Sequence, residues 1–136
     1  MKIVIIEDNP TNMKLAADVL KRSGYEVIEA FDADAGIALI RQHLPPLVLM
    51  DIQLPGMDGL TAARLLKGDE KTAHIKIVAL TAFAMIGDRE RFLEAGCDGY
   101  VSKPIRYKEL LETVRSALEG QAPVNGAPSQ SESEGW

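Results

Sequence analysis

The sequence predicts an α/β domain: a parallel sheet with helices on both faces. Three observations predict it. Five short runs rich in β-branched residues alternate strictly with segments of helical period. Three of those runs, IVII, LVLM and IVAL, are almost continuously apolar, as strands covered on both sides require. The helical segments carry apolar stripes on one side only, so each has one face to bury.

The elements follow in order. The first strand is Lys2–Ile6. A helix over Thr11–Arg22 comes next, with Met13, Ala16, Ala17 and Leu20 in one stripe and Gly24 as its stop. The remaining strands are Glu26–Ala30, Leu47–Met50, Lys76–Leu80 and Gly99–Ser102. Gly96 stops the fourth helix, and the last helix buries Leu110, Leu111, Val114 and Leu118. Right-handed crossovers restrict the topology. The doubly wound strand order 2-1-3-4-5, that of flavodoxin, is adopted by analogy. Residues 1–119 form the domain. Gly120–Trp136, GQAPVNGAPSQSESEGW, has almost no apolar content and is expected to be a disordered polar tail.

Composition narrows the function. The chain has 136 residues, suited to one domain, and 46% are hydrophobic, enough for a real core. Fifteen Lys and Arg face twenty Asp and Glu, for a net charge of -5. That balance, with no basic cluster, argues against nucleic-acid binding driven by phosphate neutralisation. One cysteine precludes an internal disulfide and suits a reducing compartment. The apolar run before Glu7 is only four residues long, Ile3–Ile6, too short for a signal sequence or a membrane span. A soluble, cytoplasmic protein is expected.

The chemistry is carried by residues at the strand ends. Glu7 and Asp8 follow the first strand, Asp51 the third, Thr81 the fourth and Lys103 the fifth. In a parallel sheet these positions meet at one edge. Carboxylates, a hydroxyl and an ammonium gathered there suit one divalent cation and one phosphoryl group. Hard oxygen ligands suit Mg²⁺, or Mn²⁺ in its place. Mg²⁺ keeps several waters and takes one or two carboxylates directly. The expected shell is Asp8, Asp51 and the backbone carbonyl of Gln53, with Glu7 holding a coordinated water. Asp51 is the candidate nucleophile, because a carboxylate can attack phosphorus and form an acyl phosphate. Lys103 and Thr81 would contact the phosphoryl oxygens. The ordinary alternative is that the acids only cap the next helix, with Asn9 at N-cap and Pro10 at N1. Capping calls for one such residue rather than three. Base rates make the Lys103-Pro104 bond trans.

The motifs EDN at 7–9, LMDIQLPGMDG at 49–59, ALTAFA at 79–84 and YVSKPI at 100–105 resemble the response-regulator receiver domain of two-component signalling. The resemblance spans residues 1 to about 119 and is greatest to single-domain regulators of the DivK and CheY-like type. It implies Asp51 as phosphoacceptor, Glu7 and Asp8 as the acidic pocket, and Lys103 and Thr81 as phosphoryl contacts. It also implies a cis bond before Pro104 and a switch in which the Thr81 hydroxyl moves inward and Tyr100 rotates. The surface of the fourth helix, fifth strand and fifth helix would then change for a downstream protein target. The implied donors are a histidine kinase or a histidine phosphotransfer protein. A monomer is expected, with a phosphorylation-linked dimer as the alternative.

Phe83 and Ala82 would govern water access to the acyl phosphate. His43 and His74 read as solvent-exposed, Cys97 as packing and Trp136 as an inert tail residue. Two enzymatic or cofactor-binding rivals fit poorly. A phosphatase of the haloacid-dehalogenase type needs a second Asp two residues after the nucleophile, where this chain has Gln53. A flavin or nucleotide module needs a Gly- or Ser/Thr-rich first loop, where this chain has EDNPTN. A receiver segment of a hybrid histidine kinase and a phosphorylation-independent scaffold stay open. Met1 immediately before the first strand favours a stand-alone regulator.

Overall fold

The computed structural model describes residues 1–82 and 86–120, and over 86–89 the backbone only. Among the described residues, strands and helices alternate as β1 (Lys2–Ile6), α1 (Pro10–Arg22), β2 (Glu26–Ala30), α2 (Ala33–His43), β3 (Leu47–Asp51), α3 (Gly59–Lys67), β4 (Lys76–Thr81), α4 (Ile86–Glu94), β5 (Gly99–Ser102) and α5 (Tyr107–Leu118). The strands form one parallel sheet in the order β2-β1-β3-β4-β5, as expected. The expected tail, from residue 121 on, lies outside the described residues, as do Phe83 and Met85.

Alternation along each central strand sorts the core into two layers. Ile3, Ile5, Leu47, Leu49, Val78 and Leu80 point to the side of α1 and α5. Val4, Ile6, Val48, Met50, Ile77 and Ala79 point to the side of α2, α3 and α4. All twelve are fully buried. That two-sided burial is why these strands carry no polar alternation. Each branched side chain so buried contributes about 1.5–3 kcal/mol.

The helix ends follow from local chemistry. The Asn9 side chain accepts from the Asn12 N–H and Pro10 opens α1, one residue earlier than expected. Asp32 and Asp58 cap α2 and α3 in the same way. Gly24 and Gly96 take φ of 94° and 98° just past α1 and α4, where a side chain would be strained. His43 is half-buried in the last turn of α2, rather than exposed as the sequence suggested, while His74 is exposed. Cys97 is buried.

Two strands run one residue longer than expected. Asp51 pairs with Leu80 as the last position of β3, and the Ile52 N–H donates to the Leu80 carbonyl at 3.0 Å. Thr81 pairs with Ser102, and the Lys103 N–H donates to the Thr81 carbonyl at 2.8 Å. The ladder therefore holds the backbone of Asp51 and Thr81 itself, not only that of the apolar residues before them.

Leu49 sits at 0% exposure at the centre of the sheet. Leu49→Ala should lower stability by about 2–5 kcal/mol. In urea this reads as a lower midpoint with an unchanged slope.

Candidate functional site

Strand β1 lies between β2 and β3, so the connections leaving β1 and β3 run to opposite faces of the sheet. A crevice opens at the carboxyl ends of those two strands. Glu7 and Asp8 leave β1 on one side of it and Asp51 ends β3 on the other. Glu7 and Asp51 are buried, with relative exposures of 0% and 2%, whereas Asp8 is exposed at the mouth. One carboxylate oxygen from each of the three lies within 4.8 Å of the others. The convergence of the three acids read from the sequence is therefore met in space.

Lys103 provides the counter-charge. Its Nζ donates to Asp51 Oδ2 at 3.0 Å and stands 3.0 Å from Glu7 Oε1. The Lys103-Pro104 peptide is cis, against the base rate and as the resemblance implied. The other oxygens are held by backbone. Asp51 Oδ1 accepts from the Gln53 N–H at 2.9 Å, and Glu7 Oε2 accepts from the Asn9 N–H at 3.0 Å. Capping and acidic clustering thus coexist: Asn9 caps α1 while its own N–H steadies Glu7.

One oxygen is left over. Glu7 Oε1 is fully buried and accepts no well-directed hydrogen bond, although the lysine charge is close. Burial, opposed by the Asn9 N–H and reinforced by Asp51, pushes the Glu7 carboxyl up to about 7. Burial alone would lower the Lys103 ammonium, but its hydrogen bonds and charge contacts with Asp51 and Glu7 carry it above the ordinary lysine value. Three hard carboxylates, one exposed and one with an unsatisfied oxygen, match the donor chemistry of a divalent cation that retains water. At Gln53 the backbone N–H is directed to Asp51 Oδ1.

Thr81 is 1% exposed at the end of β4. Tyr100 pairs with Ala79, two residues before Thr81, so both side chains are on the α4 side of the sheet. Tyr100 is buried, with its ring 5.8 Å from that of Phe92 and tilted by 57°. Ala82 is exposed, and the Phe83 expectation falls outside the described residues.

Gly59 was missed by sequence reasoning. It opens α3 directly on the backbone of β3, and its N–H donates to the Ile52 carbonyl at 2.8 Å. A Cβ there would overlap the Asp51 carbonyl oxygen and stand 2.8 Å from Ile52 Cα. The only signal was the Asp58-Gly59 pair at a helix start, which reads equally well as an ordinary cap and turn.

Residues 3–115 match the family model of the response regulator receiver domain. The chain is 47% identical over 116 residues to the polar-differentiation response regulator DivK of Brucella ovis, covering 85% of this chain and 94% of that protein. A putative response regulator from Chloroflexus aurantiacus superposes with a TM-score of 0.83 at 30% identity, covering 87% of this chain and 97% of the other. The receiver domain of a sensor histidine kinase from Pseudomonas aeruginosa superposes with a TM-score of 0.79 at 33% identity, with the same coverage. That structure holds a magnesium ion in its active-site cleft.

The raised Glu7 carboxyl sets a pH dependence. A carboxyl at 4.5 unfolded and about 7 folded contributes stability that is full below pH 4.5 and lost as pH rises to about 7. Cation-free protein should therefore lose stability from pH 4.5 to 7 in chelator, a slope that Glu7→Gln removes. Parallel denaturation curves for the two proteins across that window would refute this. Gly59→Ala should lower stability by about 1–3 kcal/mol through overpacking. It should weaken divalent-cation binding by calorimetry more than Leu49→Ala does, because it displaces the backbone of Asp51.

Proposed function

The chain belongs to the response-regulator receiver family, and on that premise we propose that it is a phosphorylation switch with Asp51 as phosphoacceptor. The carrying observation is Lys103 Nζ, 3.0 Å from both buried carboxylates, with the third acid at the crevice mouth. Residues 1–119 form the receiver and 120–136 a polar tail. No described helix is long and apolar enough to cross a membrane, and we place the protein in the cytoplasm.

An oxygen of Asp51 attacks phosphorus in line with the departing nitrogen of a phosphohistidine. The donor is a histidine kinase or a histidine phosphotransfer protein. The bond from phosphorus to nitrogen breaks as the bond to the carboxylate oxygen forms. Asp51 Oδ1 is held by the Gln53 N–H and Oδ2 by Lys103, so the carboxylate is oriented before the donor arrives. Asp8, Asp51 and the Gln53 carbonyl would hold Mg²⁺, with Glu7 on a bound water. The ion would supply charge neutralisation for one phosphoryl oxygen. Lys103 transfers its contact from the carboxylate to a second phosphoryl oxygen. Thr81, one strand away, donates its hydroxyl to the third.

The switch follows from differential contact. Thr81 and Tyr100 share one sheet face beside Phe92 of α4. Drawing the Thr81 hydroxyl toward the phosphoryl group changes the space next to Tyr100 and hence the α4-β5-α5 surface. A downstream protein reads that surface, and the likeness to DivK makes a polar-differentiation pathway the first to test. The chain is otherwise a signalling receiver, catalysing only its own phosphorylation and dephosphorylation.

Incubation with Mg²⁺ and phosphoramidate should add one phosphoryl group by intact mass spectrometry. The adduct should vanish in Asp51→Ala and in chelator. A folded wild-type chain that takes no phosphoryl group from phosphoramidate or from a phosphorylated histidine phosphotransfer protein would overturn the reading in favour of a scaffold.

A further inference from the structure

Lys103 reaches the site on a short connection. β5 ends at Ser102 and α5 begins at Tyr107, so only residues 103–106 lie between them. The sheet holds the upstream end: Thr81 pairs with Ser102, and the Lys103 N–H donates to the Thr81 carbonyl at 2.8 Å. The downstream end is held in another way. Asn9, Asp32 and Asp58 each accept from an N–H of the helix they cap, whereas the N-cap of α5 is Arg106, which makes no side-chain cap bond. Glu109 stands in the first turn of α5, where a carboxylate ordinarily reaches back to the N-cap of its own helix. Here Glu109 Oε1 accepts from the Ser102 hydroxyl at 3.4 Å.

We propose that Glu109 is a positioning residue for Lys103, acting through the Ser102 hydroxyl. The bond joins the last residue of β5 to the first turn of α5 and so closes the connection that carries Lys103 into a small ring. Leu110, Val114 and Ala117 are buried on the sheet and fix α5. Glu109, next to Leu110, thereby ties the connection to a rigid element. Ser102 and Glu109 are both half-buried, which shields the bond in part from water. Lys103 Nζ must stay 3.0 Å from two carboxylates at once. A lysine stem is flexible and loses rotamer freedom when its ammonium is held. Fixing the backbone beneath it limits how many geometries compete. The rate readout below rests on the reading of Asp51 as phosphoacceptor, whereas the hold on Lys103 does not. The ordinary alternative is that Glu109 only balances the positive end of α5.

Two readouts separate these roles. In the unphosphorylated protein, the Lys103 ammonium gives a proton–nitrogen NMR signal, identified by its loss in Lys103→Arg, that stays sharp only while the carboxylates hold it. It should persist in Glu109→Gln, which keeps an acceptor oxygen, and broaden in Glu109→Ala and in Ser102→Ala. With Mg²⁺ and phosphoramidate, phosphoryl uptake should slow about threefold in either alanine variant, the scale of one long hydrogen bond. It should slow no further when the two are combined, and stay near the wild-type rate in Glu109→Gln. Circular dichroism checks that each variant is folded, and Ser102→Ala against Glu109→Gln carries the test if Glu109→Ala is not. A silent Ser102→Ala, or a Glu109→Gln as impaired as Glu109→Ala, would leave only the helix-charge role and overturn the proposal. Additive losses in the double variant would do the same. A wild-type chain that takes no phosphoryl group would instead count against the receiver reading, and the ammonium signal then decides the positioning role alone.

Discussion

Two carboxylates buried at the end of a sheet repel one another and lose their water, and either effect alone would unfold a small domain or neutralise them. Here one ammonium lies 3.0 Å from both. Its balance is incomplete: one lysine faces Glu7 and Asp51, with Asp8 close by, and Glu7 Oε1 has no hydrogen bond. The site is therefore short of positive charge by design of its residues. A divalent cation would correct the deficit, and an anionic phosphoryl group would restore it. The chemistry proposed for Asp51 depends on that balance of charge.

The rest of the fold serves to place this trio. The order β2-β1-β3-β4-β5 puts β1 and β3 side by side with their carboxyl ends at the divergence of two helix layers. The backbone ladder then fixes each contributor. Asp51 is paired with Leu80, and the N–H of Lys103 is bonded to the Thr81 carbonyl. Gly59 lets α3 start against the β3 backbone, where any side chain would push Asp51 aside. At the opposite edge of the sheet, Lys67 Nζ binds the Ile75 carbonyl at 2.8 Å and Asp98 Oδ2 at 3.1 Å, tying the end of α3 to the loop before β5. The sheet is thus pinned at one edge by a satisfied ion pair and at the other by an unsatisfied one, and the unsatisfied edge is the reactive one.

Thr81 ends β4, the neighbour of β3, and lines a cavity between α3 and α4. On the proposed switch, a displacement of its buried hydroxyl would be felt on the side of α4, where Tyr100 packs on Phe92. Packed interiors pass such displacements on because they hold few voids in which to absorb them.

Composition and periodicity alone determined the strands to within one residue, the helix stops at Gly24 and Gly96, and the candidates Glu7, Asp8, Asp51, Thr81 and Lys103. Those features are legible because burial on two faces demands unbroken apolar runs, and because parallel strands deliver their last residues to one edge. Local sequence could not show that Asn9 caps α1 and steadies Glu7 at once, since the two readings compete until the side chain is placed. Nor could it show the isomer at Pro104, where base rates pointed to trans and only the family resemblance to cis. Gly59 was not legible for a further reason: its meaning lies in the β3 backbone, brought within a few ångströms of the start of α3. The tertiary structure also decided which acids are buried and which is exposed, and so set the deficit of charge at the site.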